Sequence, residues 1–221
     1  MSAFSTARQK MVDGQVRTSD VTDIRILDAM LALPRENFVP QDKRALAYLD
    51  LDLDVARGGS VPRFLLKPAL TAKLLQAATV KEADNVLVVG AATGYAAALA
   101  ARLAAKVTAT ESDSVLCAEG REILAGLGLT NVSFKSAEPA AGDSAGAPYD
   151  VILLNGATEV MPHGLFSQLE EGGRLLGVFA IEQPSRAMIV THTYDDFGHR
   201  VLFDAAAPVL PGLKRVPAFV F

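Results

Sequence analysis

The sequence predicts an α/β fold: a mostly parallel sheet flanked by helices, with an N-terminal helical extension and a C-terminal antiparallel hairpin. Three observations carry this. From position 86 onward, short β-rich runs alternate with segments of helical periodicity, the order that a parallel sheet with crossover helices produces. The stretch "NVLVVGAATGYAAALAARL" (85–103) sets an apolar strand, a glycine turn and an alanine-rich helix in direct succession. Two final runs flank the turn-like "DDFGHR", as in a hairpin.

Taken in order, "DIRILDAMLALP" (23–34) places Ile24, Ile26, Leu27, Met30, Leu31 and Leu33 near helical spacing, with Thr22 or Asp23 to cap the start and Pro34 to end it. Residues 35–63 mix Pro, Gly and charges with short apolar pieces. They read as a loop-rich connection with one helical turn near "DKRALAYL" and a short edge strand through Leu51, Leu53 and Val55. "KPALTAKLLQAA" resumes helical periodicity, with Pro68 in the first turn, where its missing N–H does no harm. Beyond it the pattern gives strand 86–90, helix 94–105, strand 106–111, helix 114–127, strands 131–135 and 150–155, helix 162–169, strand 173–181, and strands near 187–194 and 198–207. Residues 1–80 then form a helical extension with a substrate-loop region, and 81–221 the core, folded as one compact unit. The basic "RQKMVDGQVR" reads as a solvated helix face.

Composition narrows the function classes. A net charge of −4 and a pI near 5.4 argue against a binder of phosphate backbones, so nucleic acid is not an expected partner. No apolar run approaches the ~18 residues that a membrane span needs, and no signal-type apolar stretch follows the first charges. A single cysteine, Cys117, excludes an internal disulfide; a soluble protein of the reducing cytoplasm is expected.

Candidate chemistry gathers at strand ends. Gly90 and Gly94 bracket "AAT" between strand and helix, where a turn either brings backbone up to a ligand or simply packs tightly. Glu111 follows Gly90 by 21 positions at the end of "KVTAT"; a carboxylate there either accepts the two hydroxyls of an adenosine ribose or is a solvated strand-end acid. Nothing basic follows Glu111 to hold a 2′-phosphate, which disfavours NADP. Asn155, ending "YDVILLN", either faces a ligand or caps the turn into the next helix. His163 reads as a surface histidine at a helix start.

The order of segments resembles the protein-L-isoaspartate O-methyltransferase family. The likeness covers most of the chain: "ILDAMLALPRENFVPQDKRALAYLD", "KPALTAKLL", "VLVVGAATGYAAALAARL", "YDVILLNGAT", "LEEGGRLLGVF" and "LFDAAAPVLPGL". The resemblance implies a Rossmann-like S-adenosylmethionine-dependent methyltransferase fold and methylation of isoaspartyl carboxylates in damaged proteins or peptides. By the same likeness Gly90, Ala91, Thr93, Gly94 and Tyr95 form the cofactor turn, Glu111 holds the ribose, and Asn155 and the loop 56–68 frame the acceptor.

Departures from the family pattern are as informative. Val88 stands where the family has an acid, and Ala92 where it has the middle glycine. "KSAEPAAG" replaces the Gly-Asp-Gly after the third strand; Glu138 substitutes for that aspartate only if the loop shifts. Leu66 occupies the position of a hydroxyl implicated in handling the substrate, and leucine can neither donate nor accept a hydrogen bond. Ser60, six residues upstream, is the nearest candidate for a replacement hydroxyl. Two other readings follow from these losses: a member that kept the fold and serves as a binding protein, or a methyltransferase with another acceptor.

Overall fold

The computed structural model describes residues 3–58, 61–194 and 196–216. A two-residue antiparallel ladder, β1 (Leu53–Asp54) against β2 (Phe64–Leu65), precedes the main sheet. That sheet comprises β3 (Asn85–Val89), β4 (Lys106–Glu111), β5 (Val132–Ser136), β6 (Tyr149–Thr158), β7 (Leu169–Phe179), β8 (Arg186–Thr193) and β9 (Asp196–Asp204), in the spatial order β5-β4-β3-β6-β7-β8-β9. Strands β3 to β7 pair in parallel, while β8 and β9 close the C-terminal edge in antiparallel pairing, as the sequence predicted. The chain runs outward from β3 through β4 to β5 and returns to the other side of β3 with β6. Strand order therefore reverses between β3 and β6, and the carboxyl ends there form the crevice in which open α/β sheets bind ligands.

Helices follow at α1 (Ala3–Met11), α2 (Ile24–Ala32), α3 (Pro68–Ala78), α4 (Tyr95–Ala101), α5 (Ser114–Gly126) and α6 (His163–Phe166). Alternation along each strand divides the core in two. Val86, Val88, Val107, Ala109, Val151 and Leu153 face the larger cluster, and Leu87, Val89, Ile152, Leu154 and Leu175 face the smaller one. Burial on both faces explains why these strands read as continuous apolar runs rather than as polar–apolar alternation. Every residue of α4 is buried, and its alanines let the helix lie close against the sheet. Side-chain caps set two helix starts: Asp23 accepts from the Arg25 N–H, and Asp113 from those of Val115 and Leu116.

Local departures have local causes. The helix expected over 162–169 is only the four-residue α6, and β7 begins at Leu169, before the predicted 173. Between the pairs Tyr149↔Leu169 and Val151↔Arg174 the register shifts, so Gly172, expected ahead of the strand, sits with Gly173 in a bulge inside it. Gly172 has a φ of +77°, which a residue with a side chain adopts only under strain. The basic N-terminal segment is not uniformly solvated: Arg8 donates to the Tyr48 hydroxyl at 3.0 Å, to the Leu31 carbonyl at 3.1 Å and to Glu36 at 3.3 Å. Arg17 and Asp13, by contrast, pair on an open surface. No helix among the described residues is long and apolar enough to cross a membrane.

Arg174 ties the C-terminus of α3 to the sheet. Its guanidinium donates to the carbonyls of Ala78 (2.6 Å), Thr79 (2.9 Å) and Asp150 (3.1 Å), and to the Asp84 carboxylate at 2.8 Å. Helix ends leave carbonyls unpaired, and here one side chain satisfies two of them beside a buried acid. Arg174→Ala leaves Asp84 and those carbonyls without the donor. The expected loss is about 3–5 kcal/mol of unfolding free energy, read from the urea midpoint; a loss within 0.5 kcal/mol, roughly what surface substitutions cause, would show that the clamp is dispensable.

Candidate functional site

The glycine turn leaves β3 at Gly90 (φ +68°) and enters α4 at Gly94 (φ +98°). Both conformations favour glycine, and close approach adds to the constraint: a Cβ on Gly90 would lie 2.4 Å from Leu210 Cδ2, and one on Gly94 3.0 Å from Phe134 Cε2. Between them Ala92 holds φ +52°, a left-handed conformation that an alanine tolerates only at a cost. The turn's donors are largely used within the chain. The Ala91 N–H donates to the Thr110 carbonyl (2.9 Å), that of Gly94 to the Ala91 carbonyl (2.8 Å), and that of Ala92 to Glu111 Oε2 (2.8 Å). Such a turn offers few free donors to a phosphate group.

Glu111 ends β4 with 1% of its surface exposed, so it is not a solvated strand-end acid. Besides the Ala92 bond, its Oε1 accepts from the Asp113 N–H at 2.9 Å and from Arg63 Nε at 2.8 Å. Arg63 was not singled out from the sequence. Its Nη2 also donates to Ser112 Oγ at 2.9 Å, and its Nη1 to the carbonyls of Val61 and Pro62. The β1–β2 ladder fixes its backbone: the Arg63 carbonyl accepts from the Val55 N–H at 2.7 Å, and its N–H donates to Asp54 Oδ1.

Asn155 lies within β6, not at its end, and does not cap α6. Its Nδ2 donates to the Gly90 carbonyl at 2.9 Å and reaches the Phe64 carbonyl at 3.4 Å, bridging the crevice between β3 and β6. Beyond it Pro208–Pro211 crosses the strand ends, with Leu210 packed on Gly90 and Gly156. The space left among Pro62, Arg63, Phe64, Gly90, Asn155 and this segment is about 10 Å³, room for one water molecule. Larger hollows lie elsewhere on the described surface and include none of the predicted cofactor residues. One of about 250 Å³ lies along β8 and β9, and one of about 420 Å³ between His163, Phe166, His192 and Phe197.

Thr93 and Tyr95 face the N-terminal extension. The Thr93 hydroxyl donates to the Phe38 carbonyl at 2.6 Å, and the Tyr95 ring packs edge-on against Phe38, 5.3 Å between centroids. Arg35, wholly buried, lies over the same ring at 4.6 Å and donates to the carbonyls of Ala47 (2.8 Å) and Leu66 (2.7 Å). Burial pushes the Arg35 guanidinium below its ordinary value and the Tyr95 hydroxyl above its own. Leu66 and Val88, where the family pattern has a hydroxyl and an acid, both belong to the larger core, 2% and 0% exposed. Glu138 is exposed in the turn after β5, its carboxylate beside Gly212, outside the cluster around Glu111. Ser60 lies outside the described residues. His163 stacks its edge on Phe166 at the start of α6, and burial raises the Cys117 thiol.

Residues 6–199 match the family model for protein-L-isoaspartate(D-aspartate) O-methyltransferase. A protein-L-isoaspartate O-methyltransferase of Koribacter versatilis is 39% identical over 176 residues, 80% of this chain and 78% of the relative. Protein-L-isoaspartate O-methyltransferase 1 of Rhodopseudomonas palustris is 33% identical, covering 85% of this chain and 75% of its own. Among solved structures, a protein-L-isoaspartate O-methyltransferase superposes with a TM-score of 0.83 at 24% identity, over 93% of this chain and 66% of its own. A Plasmodium falciparum protein in complex with S-adenosyl-L-homocysteine superposes at 0.77 and 15% identity, over 95% and 99%. The last two establish the fold.

Relieving the left-handed alanine is a direct test of the turn. Ala92→Gly removes a penalty of about 1–2 kcal/mol and costs about 0.5–1 kcal/mol in unfolded-chain freedom. The expected net is a gain of about 0.5–1 kcal/mol in denaturant unfolding. A loss of stability would mean that the Ala92 methyl packs favourably enough to outweigh its backbone strain.

Proposed function

Because this chain belongs to the protein-L-isoaspartate(D-aspartate) O-methyltransferase family, we propose that it transfers a methyl group from S-adenosylmethionine to isoaspartyl carboxylates of damaged proteins or peptides. The observation that supports this most is Glu111: a buried carboxylate at the end of β4, oriented by the N–H groups of Ala92 and Asp113, beside a glycine turn that uses its own donors. Those residues fit the nucleoside half of the cofactor, whose two ribose hydroxyls need a fixed acceptor and no phosphate cradle. At position 88 the fit is poorer, since a fully buried valine offers no charge to an ammonium.

S-adenosylmethionine supplies, when bound, a methyl group activated by a sulfonium, and a carboxylate acceptor is already ionised at neutral pH. The chain's own task is therefore to bind, orient and exclude water rather than to move protons. In this reading Glu111 holds the ribose, Gly90, Ala91 and Gly94 bring backbone to the methionine part, and Asn155 fixes the turn through the Gly90 carbonyl. Thr93 and Tyr95 brace the turn from behind through Phe38. Residues 1–80 frame the acceptor and 81–221 carry the cofactor. Arg35 holds the Leu66 carbonyl in place at the acceptor side. The lone Cys117, buried and unbridged, supports the cytoplasm as the compartment.

One observation favours a second reading. Leu66 is buried hydrocarbon where the family pattern has a hydroxyl, which points to an acceptor carboxylate oriented by other groups, such as that of a small molecule. Labelled methyl transfer separates the two. Isoaspartyl repair predicts a base-labile methyl ester on an isoaspartyl peptide and none on its aspartyl twin. Equal labelling of the twins, or none on either, moves the function to another acceptor.

Glu111→Gln is expected to raise the dissociation constant for S-adenosylhomocysteine about 10- to 100-fold, as loss of charge-assisted bonds worth about 1.5–3 kcal/mol would. Calorimetric titration checks it, and an unchanged constant would remove Glu111 from the site.

A further inference from the structure

Arg63 stands where a ligand of Glu111 has to stand. The carboxylate is 1% exposed, and the group that covers it is the Arg63 guanidinium, itself 9% exposed and bound to Oε1 at 2.8 Å. Oε1 already accepts from two donors and Oε2 from the Ala92 N–H, so at most one acceptor direction stays open for a pair of vicinal hydroxyls. The adjoining space of about 10 Å³ admits a water molecule and not a nucleoside. A diol and this guanidinium cannot occupy Glu111 together.

We propose that Arg63 is an internal competitor of the cofactor, a residue that sets cofactor affinity by occupying the ribose carboxylate Glu111 until the nucleoside displaces it. This rests on the S-adenosylmethionine reading above. Arg63 is well suited to the part. Its charge gives Glu111 a stronger partner than neutral hydroxyls do, and its further bonds to Ser112 Oγ and to the carbonyls of Val61 and Pro62 are all at the rim, where released groups can turn to water. Apparent affinity scales with the fraction of molecules in the competent state. If Arg63 is in place in about 90–99% of molecules, binding is weakened about 10- to 100-fold relative to a chain without it.

An ordinary structural ion pair predicts the opposite sign. Removing a merely structural arginine lowers stability and weakens binding together, whereas removing a competitor lowers stability and tightens binding. The test is calorimetric titration of the full chain with S-adenosylhomocysteine, using wild type, Arg63→Ala and Arg63→Lys. Expected are a dissociation constant at least tenfold lower for Arg63→Ala and an intermediate value for Arg63→Lys, which keeps the charge but loses the planar fork. Wild-type binding as tight as or tighter than that of both variants overturns the competitor and leaves the cofactor reading intact. No binding by any variant at millimolar ligand overturns the cofactor reading and the competitor with it.

Should Arg63→Ala fail to fold, the wild-type protein decides through the Nε–H resonance of Arg63, assigned by its loss in Arg63→Lys. Saturation with S-adenosylhomocysteine is expected to move it to the position of a solvent-exposed arginine. An unmoved resonance with ligand bound overturns the proposal.

Discussion

The carboxylate of Glu111 joins the glycine turn, the start of α5 and the loop ahead of β2, three pieces of chain far apart in sequence. Each supplies a donor: the Ala92 N–H, the Asp113 N–H and the Arg63 guanidinium. A charge so deeply buried is tolerable only when its lone pairs are met, and removing one partner of such a pair costs about 3–5 kcal/mol. The same bonds that make the acid tolerable also give the turn its shape, because the Ala92 bond holds that residue in its left-handed conformation. Architecture and the proposed ligand chemistry thus converge on one side chain.

Around this node the polar demands of the family pattern have been replaced by packing. Val88 and Leu66 extend the larger core to the edge of the crevice, and Leu210 lies on Gly90, just after β3, and on Gly156, within β6. Hydrocarbon at these positions stabilises the sheet through burial, yet it leaves no side chain to orient an ammonium or an acceptor carboxylate. The polar groups that remain in the crevice include two that meet a structural need: Glu111, which accepts from the turn, and Asn155, which bridges β3 and β6.

The N-terminal extension packs against the glycine turn and is not a separate appendage. Arg8 fastens α1 to the turn at Arg35–Phe38, and Phe38 in turn receives the Thr93 hydroxyl and the edge of the Tyr95 ring. Arg35 extends this contact to the carbonyls of Ala47 and Leu66. The turn is therefore held from the sheet side by Glu111 and from the helical side by the extension, which leaves little freedom for its backbone.

What the sequence by itself determined is everything that rests on periodicity and local turn chemistry: the parallel strands from position 86 on, the glycine turn with Glu111 at the end of the next strand, the capped helices and the final hairpin. These follow from patterns within a few residues of one another, where apolar spacing and glycine conformation leave few alternatives. The short α6 and the early start of β7 escaped such reading because a bulge at Gly172 and Gly173 depends on a register set by β6. Only the tertiary structure decided that Glu111 is covered and by what. Arg63 lies 48 residues away in sequence, in a Pro-flanked loop with no periodicity, and is delivered by the two-residue β1–β2 ladder. A contact of that kind is written in the geometry of the assembled chain, since no local pattern records which cation a buried acid will find.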